Sequence, residues 1–109
     1  MPTVDVTELA DGDFLLDVRE DAEWQAGHAE GALHIPMSEF VARYGELTDA
    51  APQDGRVHVI CRSGGRSAQV TMYLAQQGID AVNVAGGMEA WAVSGRPVVD
   101  AEGQPGAVV

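Results

Sequence analysis

The residues of this chain that can do chemistry centre on Cys61, which is the only cysteine in the sequence. A cysteine reacts as the thiolate, so its reactivity depends on neighbours that favour the charged form. A run of charged, small and hydroxyl side chains follows it directly: Arg62, Ser63, Gly64, Gly65, Arg66 and Ser67. A structural glycine turn does not need two arginines and two serines beside a thiol. The sequence therefore predicts that Cys61 is a reactive nucleophile.

The two glycines allow backbone angles that are closed to other residues, and so let several N–H groups turn toward one point. A helix predicted to begin near Ser67 adds unpaired N–H donors and a partial positive charge. The side chains of Arg62 and Arg66 add two full charges. All of these groups favour the thiolate over the thiol. We therefore expect Cys61 to be the catalytic residue and residues 62–67 to bind the substrate.

A thiolate in such a loop can attack the outer sulfur of a sulfur donor and keep that sulfur as a persulfide. A second nucleophile then removes it, which gives two half-reactions and ping-pong kinetics. No general base is needed if the thiol is already ionised.

The elements that must position this loop are predicted from hydrophobic periodicity and from helix-ending and turn residues. Short apolar runs predict four buried strands, at residues 14–18, 32–35, 56–60 and 81–84. Helices are predicted at 20–26, 67–77 and 88–93, with Gly78 just beyond the second of these. A further helix is predicted from Ser38 as N-cap through about residue 44, one helical turn from Thr7 as N-cap, and a loop over 46–55.

Alternating strands and helices favour an α/β fold with a mainly parallel sheet and helices on both faces. Ligands of such folds bind at the carboxyl ends of strands, and the strand at 56–60 ends at Cys61. The chain length suits one domain, predicted over residues 1–99. The tail at 100–109 contains glycine, proline and small residues, and we expect it to be loose or to lie on the surface.

The formal net charge is −11, and all six cationic side chains are arginines. Such acidity disfavours binding to nucleic acid or to an anionic membrane, and we interpret it as a solubility feature rather than adaptation to high salt. The absence of lysine excludes Schiff-base chemistry. An anionic substrate must approach against this charge, so local cations have to attract it.

The sequence has no apolar run near the roughly 20 residues that a membrane helix needs. Its first residues do not resemble a signal peptide, so a cytoplasmic location is expected. A single cysteine cannot form an internal disulfide, which suits a reducing compartment.

Four stretches resemble the signatures of the rhodanese family of single-domain sulfurtransferases: Leu16-Asp17-Val18-Arg19 with Glu23-Trp24, then residues 27–36, 61–67 and 86–91. Their order and spacing match over residues 17–97, and only Ala29 and His34 replace commoner family choices. The resemblance implies a five-stranded, mainly parallel sheet flanked by helices on both faces, with Cys61 as the catalytic cysteine. It also implies transfer of sulfane sulfur from thiosulfate or a persulfide to cyanide or a thiol, without a metal or organic cofactor.

Other functions of this fold stay open. Related phosphatases and arsenate reductases have five residues between cysteine and arginine, whereas four separate Cys61 from Arg66, and this smaller ring suits sulfur better than phosphate. A partner-dependent persulfide carrier, loaded by a cysteine desulfurase and discharged to an acceptor protein, is an alternative. A purely non-catalytic interaction domain is disfavoured because Cys61 is retained. The protein is expected to be a monomer or a homodimer.

The remaining polar and aromatic residues are interpreted as structural. Asp17 is expected at a strand end beside the loop, and Arg19 in an ion pair with Glu30 or another carboxylate. The three histidines form no cluster with the spacing of metal ligands. Trp24 and Trp91 are expected to pack in the core rather than to line an acceptor pocket.

Overall fold

The computed structural model describes residues 2–109. Five strands form one sheet: β1 (Thr3–Asp5), β2 (Phe14–Asp17), β3 (Leu33–His34), β4 (Val57–Ile60) and β5 (Ala81–Ala85). Their order across the sheet is β1-β5-β4-β2-β3, and every neighbouring pair is parallel. Strand β4 lies in the centre and all four of its residues are buried.

Four helices accompany the sheet: α1 (Asp21–Ala26), α2 (Tyr44–Ala50), α3 (Gly65–Gln76) and α4 (Gly87–Val93). Because successive side chains of a strand point to opposite faces, the buried side chains of the sheet pack in two separate cores, one on each face. Leu16 and Val59 pack in a core with Leu74 of α3. Leu15 and Ile60 pack in a second core, the α4-side core, which includes Met88 of α4. The α/β fold with helices on both faces of the sheet is therefore confirmed.

The four predicted strands are present, and each end lies within one residue of the prediction. Strand β1 was not predicted from hydrophobic pattern, because it has only three residues and two of them are exposed. It forms by pairing with β5, where Val4 lies opposite Val84. The resemblance to a five-stranded family is what anticipates this strand.

The prediction for residues 38–50 is wrong, whereas residues 51–55 contain no helix or strand, as predicted. A single 3-10 turn covers Met37–Glu39, and the helix α2 (Tyr44–Ala50) occupies part of the predicted loop. The Ser38 hydroxyl donates to the Glu20 carboxylate at 2.7 Å instead of capping a helix. The polar α2 is anchored by Leu47, which is completely buried, and by Tyr44, which packs against the same core. Tertiary packing of these two side chains decides the structure here, and periodicity does not reveal it.

The other predicted helix ends are close to those observed. Helix α3 begins two residues before Ser67, and Gly78 follows it with a φ of 83° in the left-handed region, as predicted. The predicted N-terminal helical turn is a 3-10 turn at Val6–Glu8. Its cap is Asp5 rather than Thr7, because the Asp5 carboxylate accepts the N–H of Thr7 at 2.8 Å.

The last ten residues lie on the surface and hydrogen-bond to the rest of the domain. The N–H groups of Ala101 and Ala107 donate to the carbonyls of Gln25 and Ala26 at 3.1 and 2.9 Å. Val108 packs at the edge of the α4-side core. The division of the chain at residue 99 stays a prediction.

Within the described part of the chain, no helix combines the length and the apolar character that crossing a membrane requires.

Candidate active site

Cys61 lies at the carboxyl end of the central strand, where the sequence placed it. It follows β4 directly, is 1% exposed, and precedes the first residue of α3 by four positions. The intervening residues therefore have to close a tight loop around the sulfur. Strand, loop and helix together put the thiol at the floor of this loop.

Neutral hydrogen-bond donors surround the sulfur. The Gly64 N–H donates to Cys61 Sγ at 3.1 Å, and the Ser67 hydroxyl oxygen lies 3.3 Å from Sγ. Burial by itself raises the pKa of the Cys61 thiol, but these contacts outweigh it. The Ser67 hydroxyl and the N–H groups of Ser67, Gly64 and Ser63 bring the pKa of the thiol below its ordinary value. These neutral donors therefore favour the thiolate.

Only one of the two loop glycines has a backbone conformation that requires glycine. Gly64 has a φ of 123°, a backbone angle that residues with a side chain rarely adopt. Gly65 has no such φ, and a Cβ added there would meet nothing within 4 Å. Gly64 is therefore the residue that turns the loop N–H groups toward the sulfur.

The start of α4 holds the outside of the loop. The N–H of Met88 donates to the carbonyl of Cys61 at 2.8 Å, and the N–H of Glu89 donates to the carbonyl of Arg62 at 3.0 Å. In a trans peptide the C=O and N–H point in opposite directions, so anchoring these two carbonyls outward directs the next N–H groups inward. One of these is the Ser63 N–H that acts on the sulfur.

This contact depends on Gly87, whose role was not predicted from the sequence. A Cβ on Gly87 would lie 2.6 Å from the carbonyl oxygen of Arg62 and would also meet that of Cys61. Its φ of 55° is left-handed as well. The only sequence signal is the pair of glycines that directly follows a strand.

The two loop arginines do not face the sulfur as free charges. Arg66 donates to both carboxylate oxygens of Glu23, at 2.6 and 2.9 Å. Hydrogen bonding to Arg66 lowers the pKa of Glu23 to about 2, and Glu23 in turn raises the pKa of Arg66. Arg66 remains close enough to the sulfur for the charge of Cys61 to raise its pKa further. Arg62 is half-exposed, with Nε 3.8 Å from the Glu89 carboxylate.

A second residue that sequence reasoning missed is Asn83 in β5, which is 7% exposed. Its Oδ1 lies 2.5 Å from the Ser67 hydroxyl oxygen, and its Nδ2 donates to the carbonyl of Gly64 at 3.3 Å. The available signal was a single amide within the apolar run Ala-Val-Asn-Val. Asn83 therefore contacts two of the residues that surround the sulfur.

Asp17 and Arg19 are structural, as predicted, and pair with each other. The Arg19 guanidinium is fully buried and donates to Asp17 Oδ2 at 2.8 Å, so its carboxylate partner is Asp17 rather than Glu30. Arg19 also donates to the carbonyl of Gly27 at 2.8 Å. The pair ties the end of β2 to the segment after α1.

The tryptophans make packing contacts. Trp24 is stacked between His28 and His34, with ring centroids 3.6 and 4.5 Å away. The indole N–H of Trp91 donates to the carbonyl of Pro97 at 2.8 Å, and Arg96 lies 5.1 Å above its ring. Within residues 2–109, no group of three or more His, Cys, Asp or Glu side chains is arranged to hold a metal ion.

A groove among the described residues lies away from the loop. Its volume is about 670 Å³, and its lining includes Phe14 at the amino end of β2 together with Trp91 and Arg96. None of residues 61–67 lines it. The loop is nonetheless the stronger candidate site, because the groove is lined by no cysteine, serine or threonine, whereas the loop surrounds a thiol with hydrogen-bond donors.

Comparisons of the sequence and of the structure with known proteins point to one family. The Rhodanese-like domain family matches residues 5–94. A protein named Sulfurtransferase from Allochromatium vinosum is 43% identical over 91 residues, which cover 83% of this chain and 81% of that protein. The Putative sulfur carrier protein YrkF from Bacillus subtilis is 37% identical over 78 residues, which cover 71% of this chain and 40% of that protein.

A solved structure agrees. The crystal structure of a rhodanese-related protein from Thermoplasma volcanium superposes with a TM-score of 0.80 at 31% identity, covering 91% of this chain and 98% of that one. Sequence, fold and loop geometry lead to the same assignment, and the chain belongs to the family of rhodanese-like domains.

Proposed function

We propose that this protein is a sulfurtransferase that moves sulfane sulfur from thiosulfate or a persulfide donor to a thiophilic acceptor through a persulfide on Cys61. Family membership and the relative named Sulfurtransferase support sulfur transfer in general. The observation that carries the finer proposal is the set of loop N–H donors, with the Ser67 hydroxyl beside them, around one buried sulfur at the end of β4.

In the first half-reaction the Cys61 thiolate attacks the outer sulfur of thiosulfate. A new S–S bond forms, the bond between the two thiosulfate sulfurs breaks, and sulfite leaves with the electron pair. The terminal sulfur of the persulfide then carries the negative charge. The inward N–H groups of the loop supply hydrogen bonds to this anion without any rearrangement of charged side chains.

In the second half-reaction an acceptor thiolate or cyanide attacks the terminal sulfur. The bond between that sulfur and Cys61 Sγ breaks, and its electron pair returns to Sγ as a thiolate. The donors that lower the pKa of the thiol make Cys61 a good leaving group in this step. The same contacts therefore serve both half-reactions.

Arg62 is proposed to attract the anionic donor. The net charge of −11 repels thiosulfate at long range, so a cation at the loop has to offset it. Arg66 is committed to Glu23 through two hydrogen bonds. Arg62 is half-exposed and has only a distant carboxylate neighbour, which leaves its donors available.

A partner-dependent persulfide carrier with little turnover of its own is the second candidate. The relative named as a putative sulfur carrier protein favours it. In this case a cysteine desulfurase loads Cys61 and a protein thiol receives the sulfur, with the same bonds formed and broken at Cys61.

Intact-protein mass spectrometry after incubation with thiosulfate tests the persulfide. We expect a gain of one sulfur atom on the wild type, reversed by cyanide, and no gain on Cys61→Ser. An absent adduct, or an equal adduct on Cys61→Ser, contradicts the proposal.

Steady-state turnover separates the two candidates. Rapid formation of thiocyanate from thiosulfate and cyanide identifies an enzyme. Loading of Cys61 that discharges slowly to small thiols but rapidly to a protein thiol identifies a carrier.

A further inference from the structure

The hydroxyl of Ser67 has more acceptors around it than it can serve. Its oxygen lies 2.5 Å from Asn83 Oδ1, 3.2 Å from the carbonyl oxygen of Gly64 and 3.3 Å from Cys61 Sγ. A serine hydroxyl carries one proton, so it donates to one of these at a time. Which acceptor holds that proton affects the charge state of the sulfur.

The orientation of Asn83 is set by the carbonyl of Gly64. That carbonyl can only accept, and the amide group 3.3 Å away must therefore present its nitrogen to it. Oδ1 of Asn83 consequently faces the Ser67 oxygen at 2.5 Å. An amide oxygen has no proton to give, so at this distance the Ser67 hydroxyl donates to Asn83.

With its proton on the Asn83 side, the Ser67 oxygen turns a lone pair toward the sulfur. A Cys61 S–H can donate to that lone pair, whereas a thiolate gains nothing from it. This one contact thus suits the thiol, while the N–H groups of the loop still favour the thiolate. A hydrogen bond from Ser67 to an anionic sulfur requires the hydroxyl to rotate away from Asn83.

We propose that Asn83 is a positioning residue that competes with the Cys61 sulfur for the single proton of Ser67. At rest the proton stays on the Asn83 side, and it turns to the sulfur when the sulfur becomes anionic. The proton remains bonded to the Ser67 oxygen throughout, and the thiol proton itself is lost to water. This inference rests on the proposed function, since it takes Cys61 as the reacting sulfur.

Charged groups near the loop come from several elements, and each cation has a carboxylate within 4 Å, although that of Arg62 is 3.8 Å away. They are Arg66 of α3 with Glu23 of α1, Arg19 with Asp17 at the end of β2, and Arg62 with Glu89 of α4. Glu23 titrates at about pH 2 and stays charged throughout the range in which a thiol titrates. No change in the charge of Glu23 therefore overlaps with the titration of Cys61, and the midpoint of that titration reports the competition for the Ser67 proton.

The experiment titrates Cys61 without any sulfur donor, by thiolate absorbance and by the pH dependence of alkylation. Asn83→Leu removes the nearest acceptor and leaves the Ser67 proton to the Gly64 carbonyl and the sulfur, of which the anionic sulfur is the stronger acceptor. We therefore expect the midpoint to fall by roughly half to one pH unit, the size of one hydrogen bond gained by the anion. Ser67→Ala removes the donor, and we expect the midpoint to rise. In the Ser67→Ala background, Asn83→Leu should cause no further fall.

Thr71→Val is the matched control. The Thr71 hydroxyl donates to the backbone carbonyl of Ser67 at 2.7 Å and not to its side chain. Its loss loosens the same turn of α3 without freeing the proton, and we expect an unchanged midpoint. If Asn83→Leu does not fold, Asn83→Val, which suits a central strand, carries the same expectation.

A midpoint that stays or rises in the Asn83 variant overturns the proposal. That result would show that Asn83 only holds the loop in place, since a loosened loop weakens the donors to the sulfur and raises the midpoint. An equal fall with and without the Ser67 hydroxyl overturns it as well. No sulfur donor is involved, so this result is independent of whether thiosulfate loads Cys61.

Discussion

The guanidinium of Arg66 and the carboxylate of Glu23 form two hydrogen bonds, of 2.6 and 2.9 Å, between the first turn of α3 and the helix α1. The two residues are 43 positions apart in the sequence. Their side chains are 33% and 19% exposed, so solvent screens the pair only in part. The contact ties the helix that carries the active-site loop to the segment after β2.

This pair makes stability depend on pH. The pKa of Glu23 falls from 4.5 to about 2 on folding, chiefly through its hydrogen bonds to Arg66. A carboxyl group with a depressed pKa contributes its stability in full above the unfolded value and loses it as the pH falls through the folded value. We expect wild type to lose about 1 to 2 kcal/mol from this group between about pH 4.5 and about pH 2, after allowance for solvent screening.

The measurement is urea unfolding at several pH values, on wild type and on Glu23→Gln. The difference in unfolding free energy between the two proteins should shrink as the pH falls toward 2. A difference that stays constant over this range would show that the ion pair is not its source. Arg43 and Glu46 form an exposed pair at 2.8 Å, so Glu46→Gln is the matched control for a surface contact.

Gly87→Ala tests whether the start of α4 shapes the active-site loop. The added Cβ would press on the carbonyls of Cys61 and Arg62, and the left-handed φ of 55° costs about 1 kcal/mol for a residue with a side chain. We expect a loss of about 2 to 4 kcal/mol in unfolding free energy, together with slower alkylation of Cys61 at neutral pH.

Gly45→Ala is the control for this substitution. Gly45 is exposed in α2, and a Cβ there meets nothing within 4 Å. Alanine in a helix is favoured over glycine by up to about 1 kcal/mol, so this variant should be slightly more stable and equally reactive. If Gly87→Ala alkylates as fast as Gly45→Ala, the α4 contact does not control the loop.

The parts of the site that the sequence predicted are contiguous. Cys61, Gly64 and Ser67 lie within one strand-loop-helix segment, where local rules for strand ends, glycine and helix starts apply directly. Glu23 and Asn83 reach the same loop from other elements, and only the order of strands in the folded sheet brings them there. No local pattern could reveal their contacts.

The same reason explains the elements that prediction missed. Strand β1 exists because the neighbouring β5 offers it hydrogen bonds, and α2 because Leu47 finds a core position. Both depend on packing rather than on periodicity.

Arg62→Ala tests the attraction of an anionic donor. Arg62 is half-exposed and its contact to Glu89 is 3.8 Å long, so its removal should change stability by less than about 0.5 kcal/mol. We expect kcat/KM for thiosulfate to fall several-fold, mainly through KM, and the fall to shrink as added salt screens the charges. Glu89→Gln removes the partner and should change kcat/KM in the opposite direction. Equal rates in wild type and Arg62→Ala at low salt would exclude this role.

Removal of residues 100–109 tests whether the tail stabilises the domain. The tail gives α1 two hydrogen bonds, from Ala101 and Ala107, and adds Val108 to the edge of the α4-side core. Since hydrogen bonds near the surface are each worth about 0.5 to 1.5 kcal/mol, we expect truncation to lower the unfolding free energy by about 1 to 3 kcal/mol. Urea unfolding of the truncated chain measures this loss, with Val109→Ser as a control because Val109 is exposed. An unfolding free energy equal to that of the full chain would mean that the tail's contacts contribute nothing to stability.

Truncation should also act on Glu23, because the tail's hydrogen bonds hold α1, which supplies that residue. If α1 loosens, the pKa of the Glu23 carboxyl should rise toward its ordinary value, and the pH dependence of unfolding would reveal this rise.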